Sequence, residues 1–309
     1  MKRMTRLLAG LAIVAALTAA ACSSDSKSNT SASASSSAAK PTITIGAQDF
    51  GESAILAEIY RQGLQAKGFN VSIQKLGGFR DLEVTAFDGG TINFAPEYAA
   101  SMLEFLNGKK GEATSDVSAT VDKLKTQLDA KSLAAFKATD AVDTNALVMT
   151  KAKADSLGIK SLSDLASKGK DLKLGGPADC ETNAFCIPGL KKVYNLDLSG
   201  SFQALETSAV APALDAGSID VALLFSTDGR IAAKNYVLLE DDKHMLAADN
   251  VVPVAKKDLA SNSDLAAAVD AISAKITTDE LIKMNKRFDV DKEDAAVIAK
   301  DFLSEQKLI

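Results

Sequence analysis

From Pro41 onward the chain alternates short runs in which every second residue is apolar with longer runs spaced three and four apart. Thr42–Gly46 alternates and predicts a strand. Ser53–Lys67 carries apolar residues at Ile55, Leu56, Ile59 and Leu64 and then meets Gly68, which predicts a helix that stops there. Val71–Leu76 reads as the next strand, Arg80–Phe87 as a helix and Thr91–Ala95 as a further strand. Strand and helix in alternation give βαβ units and a mostly parallel sheet.

One internal echo extends this reading. Ala86-Phe87-Asp88-Gly89-Gly90-Thr91-Ile92-Asn93-Phe94-Ala95 is answered by Ala213-Leu214-Asp215-Ala216-Gly217-Ser218-Ile219-Asp220-Val221-Ala222. Each reads as a helix end, a glycine turn and a buried strand, with the glycine where positive φ is often required. Because the echo occurs once in each half, it predicts two lobes on one plan. The second lobe takes strands from Ala146–Met149, Leu172–Leu174 and Tyr236–Leu239. Val251–Val254 returns the chain to the first lobe, where the helical pattern of Asp264–Leu308 packs. The expected fold class is α/β, with mixed, mostly parallel sheets and a ligand cleft between lobes, beyond the carboxyl ends of the strands.

The start of the chain obeys different rules. Lys2, Arg3 and Arg6 precede an apolar run, Leu7–Ala21, that ends in small residues and is short for a membrane span. That is the pattern of a secretory signal peptide over residues 1–21. Cys22 follows directly, where a bacterial lipoprotein signal places its acylated cysteine. Ordinary cleavage leaving an unmodified thiol is the alternative. Ser23–Lys40 is half serine with no large apolar residue, so it cannot bury enough surface to offset its ordering entropy. Residues 22–40 are therefore expected to be a tether. Lobe 1 is expected over residues 41–145 plus 251–309, and lobe 2 over 146–250.

Composition narrows the function. Removing the three signal-peptide cations takes the formal charge from −5 to −8. An acidic chain without a basic stripe argues against nucleic-acid binding. With Cys22 acylated, Cys180 and Cys186 remain as an even pair in an oxidising compartment. A disulfide closing that short loop contributes about 2 kcal/mol in the chain-entropy view. Two free thiols, or half of a metal site, are the alternatives, and nothing nearby completes a ligand set.

Catalytic motifs are missing. The only histidine, His244, stands in a charged turn with Asp241, Asp242 and Lys243. There is no Gly-x-Ser-x-Gly elbow, phosphate-cradling Gly-Lys-Ser/Thr loop or metal-spaced histidine pair. Gly77-Gly78 and Gly175-Gly176 lack such flanks and read as turns. A secreted hydrolase would need a nucleophile–base pair that the chain does not supply. It is expected not to be an enzyme and to need no cofactor or metal. Two strand ends stand out instead: Ala95-Pro96-Glu97-Tyr98, and Leu224-Phe225-Ser226-Thr227-Asp228-Gly229-Arg230. They are corresponding ends of the echoed units, so each would present an aromatic ring and polar groups to the cleft. An aromatic face attracts a cation. The alternative is that Tyr98 and Phe225 simply cap their cores.

At these residues the sequence resembles the glycine betaine/carnitine/choline-binding lipoproteins of ABC osmolyte importers. The resemblance runs from about Ile43 to the last helices. It rests on Ile45-Gly46-Ala47-Gln48-Asp49-Phe50-Gly51-Glu52-Ser53, Pro96-Glu97-Tyr98, Asp164-Leu165 after Leu162, Pro188-Gly189-Leu190 and Ser226-Thr227-Asp228-Gly229. Glu240-Asp241-Asp242-Lys243, followed by Asn250–Val254, adds to it. It implies a type II periplasmic-binding-protein fold that closes over a small-molecule solute. It also implies an ABC permease and its ATPase as partners, a monomer, and a lipid anchor on the outer face of the bacterial cytoplasmic membrane. By the same resemblance Gln48, Asp49, Phe50, Gly78, Phe79, Tyr98, Asn145, Phe225, Ser226, Thr227, Asp228 and Asn250 form the site. The chain departs from a full aromatic cage, with four tyrosines, no tryptophan, and Asn145 and Asn250 at the crossings between lobes. After Pro177, where many relatives carry an arginine able to clamp a carboxylate, it has Glu181-Thr182-Asn183. The expected solute is glycine betaine, choline or a related compound. A polar or aromatic (phenolic) molecule on the same fold, or a sensory lipoprotein without transport, is the alternative.

Overall fold

The chain builds two five-stranded sheets, each covered by helices on both faces. The computed structural model describes residues 40–114 and 116–309, so the signal peptide, Cys22 and residues 22–39 of the tether lie outside the described residues. The first half runs β1 (Thr42–Ala47), α1 (Gly51–Ala66), β2 (Asn70–Lys75), α2 (Arg80–Asp88), β3 (Phe94–Tyr98), α3 (Ala99–Leu106), α4 (Val117–Ala130) and β4 (Leu133–Ala135). The second runs β5 (Asn145–Thr150), α5 (Lys151–Leu157), α6 (Leu162–Lys168), β6 (Leu174–Gly176), α7 (Ile187–Tyr194), β7 (Gln203–Ala204), α8 (Thr207–Asp215), β8 (Val221–Phe225), α9 (Gly229–Ala233) and β9 (Tyr236–Leu238). The chain then returns as β10 (Val251–Lys256) and closes with α10 (Lys257–Ala260), α11 (Ser263–Ser273), α12 (Thr278–Asp289) and α13 (Ala295–Glu305).

Strand order is β2-β1-β3-β10-β4 in one sheet and β7-β6-β8-β5-β9 in the other. In each, the central strand (β3 or β8) has a parallel neighbour on one side and an antiparallel one on the other. Period-two spacing serves both faces of a buried sheet. Val251 and Ala255 join the core beneath α1 and the C-terminal helices, while Val252 and Val254 join the core beneath α3 and α4. The C-terminal helices start at side-chain caps, Asn262, Thr277 and Asp294, each accepting a first-turn amide. Their apolar faces meet α1 in the first core.

The echo is structural. Gly90 and Gly217 take φ of 71° and 70°, a left-handed turn that suits glycine. The amides of Thr91 and Ser218 close the same turn onto Ala86 and Ala213 carbonyls, each at 3.0 Å. These bonds hold residues 91–93 in the turn, so the strand expected at Thr91–Ala95 begins instead at Phe94. Asn93 there bonds Thr42 and Thr44 through its side chain. The strand expected at Leu172–Leu174 likewise starts later, at Leu174. The Lys173 carbonyl accepts from the Asp220 and Val221 amides before the ladder forms.

Two segments cross between the sheets, and they pair with each other. Val142 bridges Asn250, and the Asp143 amide donates to the Asp249 carbonyl at 3.1 Å. From this crossing each segment sends one aspartate into a different lobe. Asp249 accepts from the amides of Ala100 and Ser101, at the start of α3, at 2.8 and 3.0 Å. Asp143 accepts from the amide of Thr227, the equivalent position after β8, at 3.1 Å. Backbone pairing repeats the relation: Ala99 donates to the Asn250 carbonyl and Ser226 to that of Thr144. The crossing therefore lies on a local twofold between the lobes, and the carboxyl ends of β3 and β8 meet across it.

Candidate ligand-binding site

A small cavity sits where β1, β3 and β8 end and α1 begins. Phe50, the residue before α1, is its centre. Its ring lies 6.2 Å from Phe79, 6.1 Å from Tyr98 and 5.4 Å from Phe225, centre to centre. Such offset and tilted contacts are the favoured aromatic geometry. The rings come from both lobes, so the cavity has an aromatic wall that spans the cleft.

Gln48, Phe50, Phe79, Tyr98, Asn145 and Phe225 all line this cavity. The other six expected residues stand around it. Asp49 faces a groove on the far side of the α1 start, and Gly78 lines a neighbouring groove. Ser226 donates to Asp143 and Thr227 to Glu52. Asp228 pairs bidentately with Arg230 and accepts its amide. Asn250 donates through its side-chain Nδ2 to the Thr139 carbonyl at 3.0 Å. These groups support the wall or the crossing.

Five charged residues missed at the sequence level complete the picture. Arg80, Asp143, Asp179 and Asp249 line the cavity. Among the described residues lining it, Arg80 is the only cation, and its guanidinium is engaged. It meets Glu97 through two bonds of 2.8 Å, while Gln48 bridges Glu97 and Glu83 at 3.0 Å each. The fifth, Glu52, is a buried carboxylate behind the rings. It accepts from Tyr98 at 2.7 Å, and from Thr227 and Asn285 at 2.6 Å each, so it ties β3 and α12 to the β8 end.

Burial governs the charges. It pushes the Asp249 carboxyl up to about 6 against the Ser101 donors, and Asp143 well above the usual range, with Glu52 adding repulsion. Asp179 is raised for the same first reason. Burial also raises Glu52, opposed by its three donors. Glu83 rises well above the carboxylate range through burial and then through Glu97. The cavity thus combines π faces with three aspartates that burial disfavours as anions.

Comparisons with known proteins give the family and the fold. The family model described as the substrate-binding domain of the ABC-type glycine betaine transport system matches residues 41–305. The chain belongs to this family. It is similar to the glycine-betaine-binding protein of Pseudomonas aeruginosa, 27% identical over 281 residues, which are 87% of this chain and 89% of that one. It is also similar to a carnitine transport binding protein of Listeria monocytogenes, 24% identical over 85% of this chain and 86% of that protein. A crystal structure titled as a glycine betaine/carnitine/choline ABC transporter superposes with a TM-score of 0.68 at 26% identity, covering 87% of this chain and 99% of that one. The protein is thus an extracytoplasmic substrate-binding component of an ABC-type transport system, with the two-lobed type II architecture. Cys180 and Cys186 are disulfide-bonded, so of the alternatives left open by their spacing the disulfide is the one realised. Among the described residues no cluster of metal-ligating side chains occurs, and no helix is long and apolar enough to cross a membrane.

Proposed function

We propose that this receptor captures a quaternary amine of the choline type and delivers it to an ABC permease driven by its ATPase. One observation carries the reading: the cavity joins aromatic faces from both lobes to the buried Asp143 and Asp249 and the half-buried Asp179, while its one guanidinium is held by Glu97. Each ring facing a desolvated cation contributes about 0.5 to 2 kcal/mol. A ligand carboxylate would have to compete with Glu97 for Arg80 and would stand among Asp143, Asp179 and Asp249. Choline, a cation without a carboxylate, suits the site better than glycine betaine or carnitine.

In this reading Phe50, Phe79, Tyr98 and Phe225 hold the cationic head, Asp143 and Asp249 neutralise it, and Gln48 and Asn145 fix the wall. Asp49, Gly78, Ser226, Thr227, Asp228 and Asn250 position those groups. Lobe 1 (41–145 plus 251–309) and lobe 2 (146–250) close about the paired crossing segments, and the closed form is what the permease reads. The protein acts as a monomer, held to the membrane by lipid on Cys22 after removal of residues 1–21.

Calorimetric titration with choline, glycine betaine and carnitine tests the solute. Choline is expected to bind most tightly, and Asp143→Asn to weaken it about tenfold or more. Glycine betaine binding more tightly than choline, or silence from all three, would overturn the reading. For the anchor, Cys22→Ser should move the protein from the membrane to the soluble fraction, and continued membrane attachment would contradict it.

A further inference from the structure

A second, larger space adjoins the cavity. It measures about 500 Å³ against about 40 Å³ for the cavity itself. The two share Phe79, Arg80, Ser101, Asp179 and Asn183 as common walls, so they are continuous across the cleft. Beyond that boundary Asp81, Glu104, Lys109 and Thr182 rim a lining that is otherwise largely apolar. Leu82 on α2 and Phe105 on α3 come from one lobe, and Ala178, Ala184 and Phe185 from the other. Leu82 is 41% and Phe105 39% exposed, among the few large apolar side chains left in solvent in the described residues. Both stand on one side of the cleft, and Phe185 opposite them is half-buried; large apolar side chains left exposed beside a cleft mark a surface that something apolar covers.

The lobe-2 side of this groove is held firmly. It is the loop from Ala178 to Phe185, most of it inside the short ring closed by the buried Cys180–Cys186 disulfide. Its backbone is pinned from within, the Asn183 amide donating to the Asp179 carbonyl at 2.8 Å and the Phe185 amide to Asn183 Oδ1 at 2.9 Å. From the crossing, Asn145 donates to the Phe185 carbonyl at 3.2 Å. The same residue that lines the cation cavity therefore positions the apolar wall next to it.

We infer that the groove between Leu82, Phe105 and Phe185 is a second subsite, which takes an apolar arm attached to the cation held in the cavity. The inference rests on the quaternary-amine reading and narrows it. The preferred solute is an amphiphilic cation with an alkyl or acyl chain of a few carbons, because the cavity alone has little room and the space that adjoins it past Phe79 presents Leu82, Phe105 and Phe185. A purely polar substituent would leave Leu82 and Phe105 in water. Asp179 and Arg80 at the boundary leave the head in a polar setting while the chain passes between them.

The test is calorimetric titration of the full chain with choline and with N-hexyl-N,N-dimethylethanolammonium. The hexyl compound is expected to bind about tenfold tighter than choline, from burial of its methylenes. Leu82→Asp, at an exposed position outside the cavity, should erase that gain and leave choline binding unchanged. Phe105→Ser gives a second variant should the first fold poorly. Equal or weaker binding of the hexyl compound, with choline still bound, overturns the subsite and spares the choline reading. A gain that survives both substitutions overturns it as well. Silence from both cations overturns the choline reading and the subsite together.

Discussion

Asp249 shows how one side chain can report on ligand. Its carboxyl is pushed up to about 6 by burial, with Arg80 and Glu97 acting in opposite directions and Ser101 donating to it. A carboxyl raised in the fold is protonated there at pH values where the unfolded chain has lost its proton. Its contribution to stability is thus present below its usual value near 3.8 and fades as pH rises through about 6. A bound cation favours the anion and pulls the value back down. Choline is therefore expected to bind more tightly at pH 7.5 than at pH 5, with protons released on binding near pH 6. Calorimetry in two buffers of different ionisation enthalpy would detect the release, and pH-independent binding without it would contradict this role for Asp249. Thr227 makes a second point at the same scale. It is buried and donates to Glu52 across the lobes, so Thr227→Val leaves that carboxylate short of a donor. The expected cost is about 1 to 3 kcal/mol in urea unfolding.

At the scale of elements, the contact between α9 and α12 and the disulfide-closed loop carry most of the consequence. A Cβ at Gly229 would come within 2.5 to 2.7 Å of Lys286 backbone and Cβ atoms. The two lobes touch there with no room for a methyl group. Gly229→Ala is expected to cost about 1 to 3 kcal/mol and to push α9 off α12; unchanged stability would contradict so close a contact. Replacing Cys180 and Cys186 together by serine should cost about 2 kcal/mol and loosen the wall that holds Asp179 and Asn183. Solute affinity should then fall along with stability, whereas a loss of stability alone would mean the wall keeps its shape without the bond. Elements of this kind were partly legible. The alternation at Thr42–Gly46 and the helical spacing of Ser53–Lys67 gave β1 and α1 within a few residues, because both bury regular faces. The strand expected at Thr91–Ala95 started three residues late, because turn hydrogen bonds to Ala86 outlast the apolar pattern. The α9–α12 contact left no trace in spacing, since it depends on a glycine meeting a helix far along the chain.

For the whole molecule, the echo of Ala86–Ala95 in Ala213–Ala222 was the most informative feature, because a repeated helix–turn–strand joint places two strand ends opposite each other. It put Tyr98 and Phe225 at one cleft, where both line the cavity. The aspartates lie outside the echo: Asp143 and Asp249 stand on the paired crossing segments, next but one and next to Asn145 and Asn250. Those asparagines draw attention as departures from an aromatic cage, but it is their acidic neighbours that add charge to the cavity lining. Arg80 and Glu97 were harder to read, since an ion pair between a helix start and a buried strand has no sequence spacing of its own. The central claim is that positive charge is what the cleft recognises. Titration of the full chain with choline and with 3,3-dimethyl-1-butanol, its uncharged carbon analogue, tests that most directly. The account predicts that the neutral compound binds at least about thirtyfold more weakly, the equivalent of about 2 kcal/mol of lost cation–π and charge attraction; equal binding of the two would contradict it.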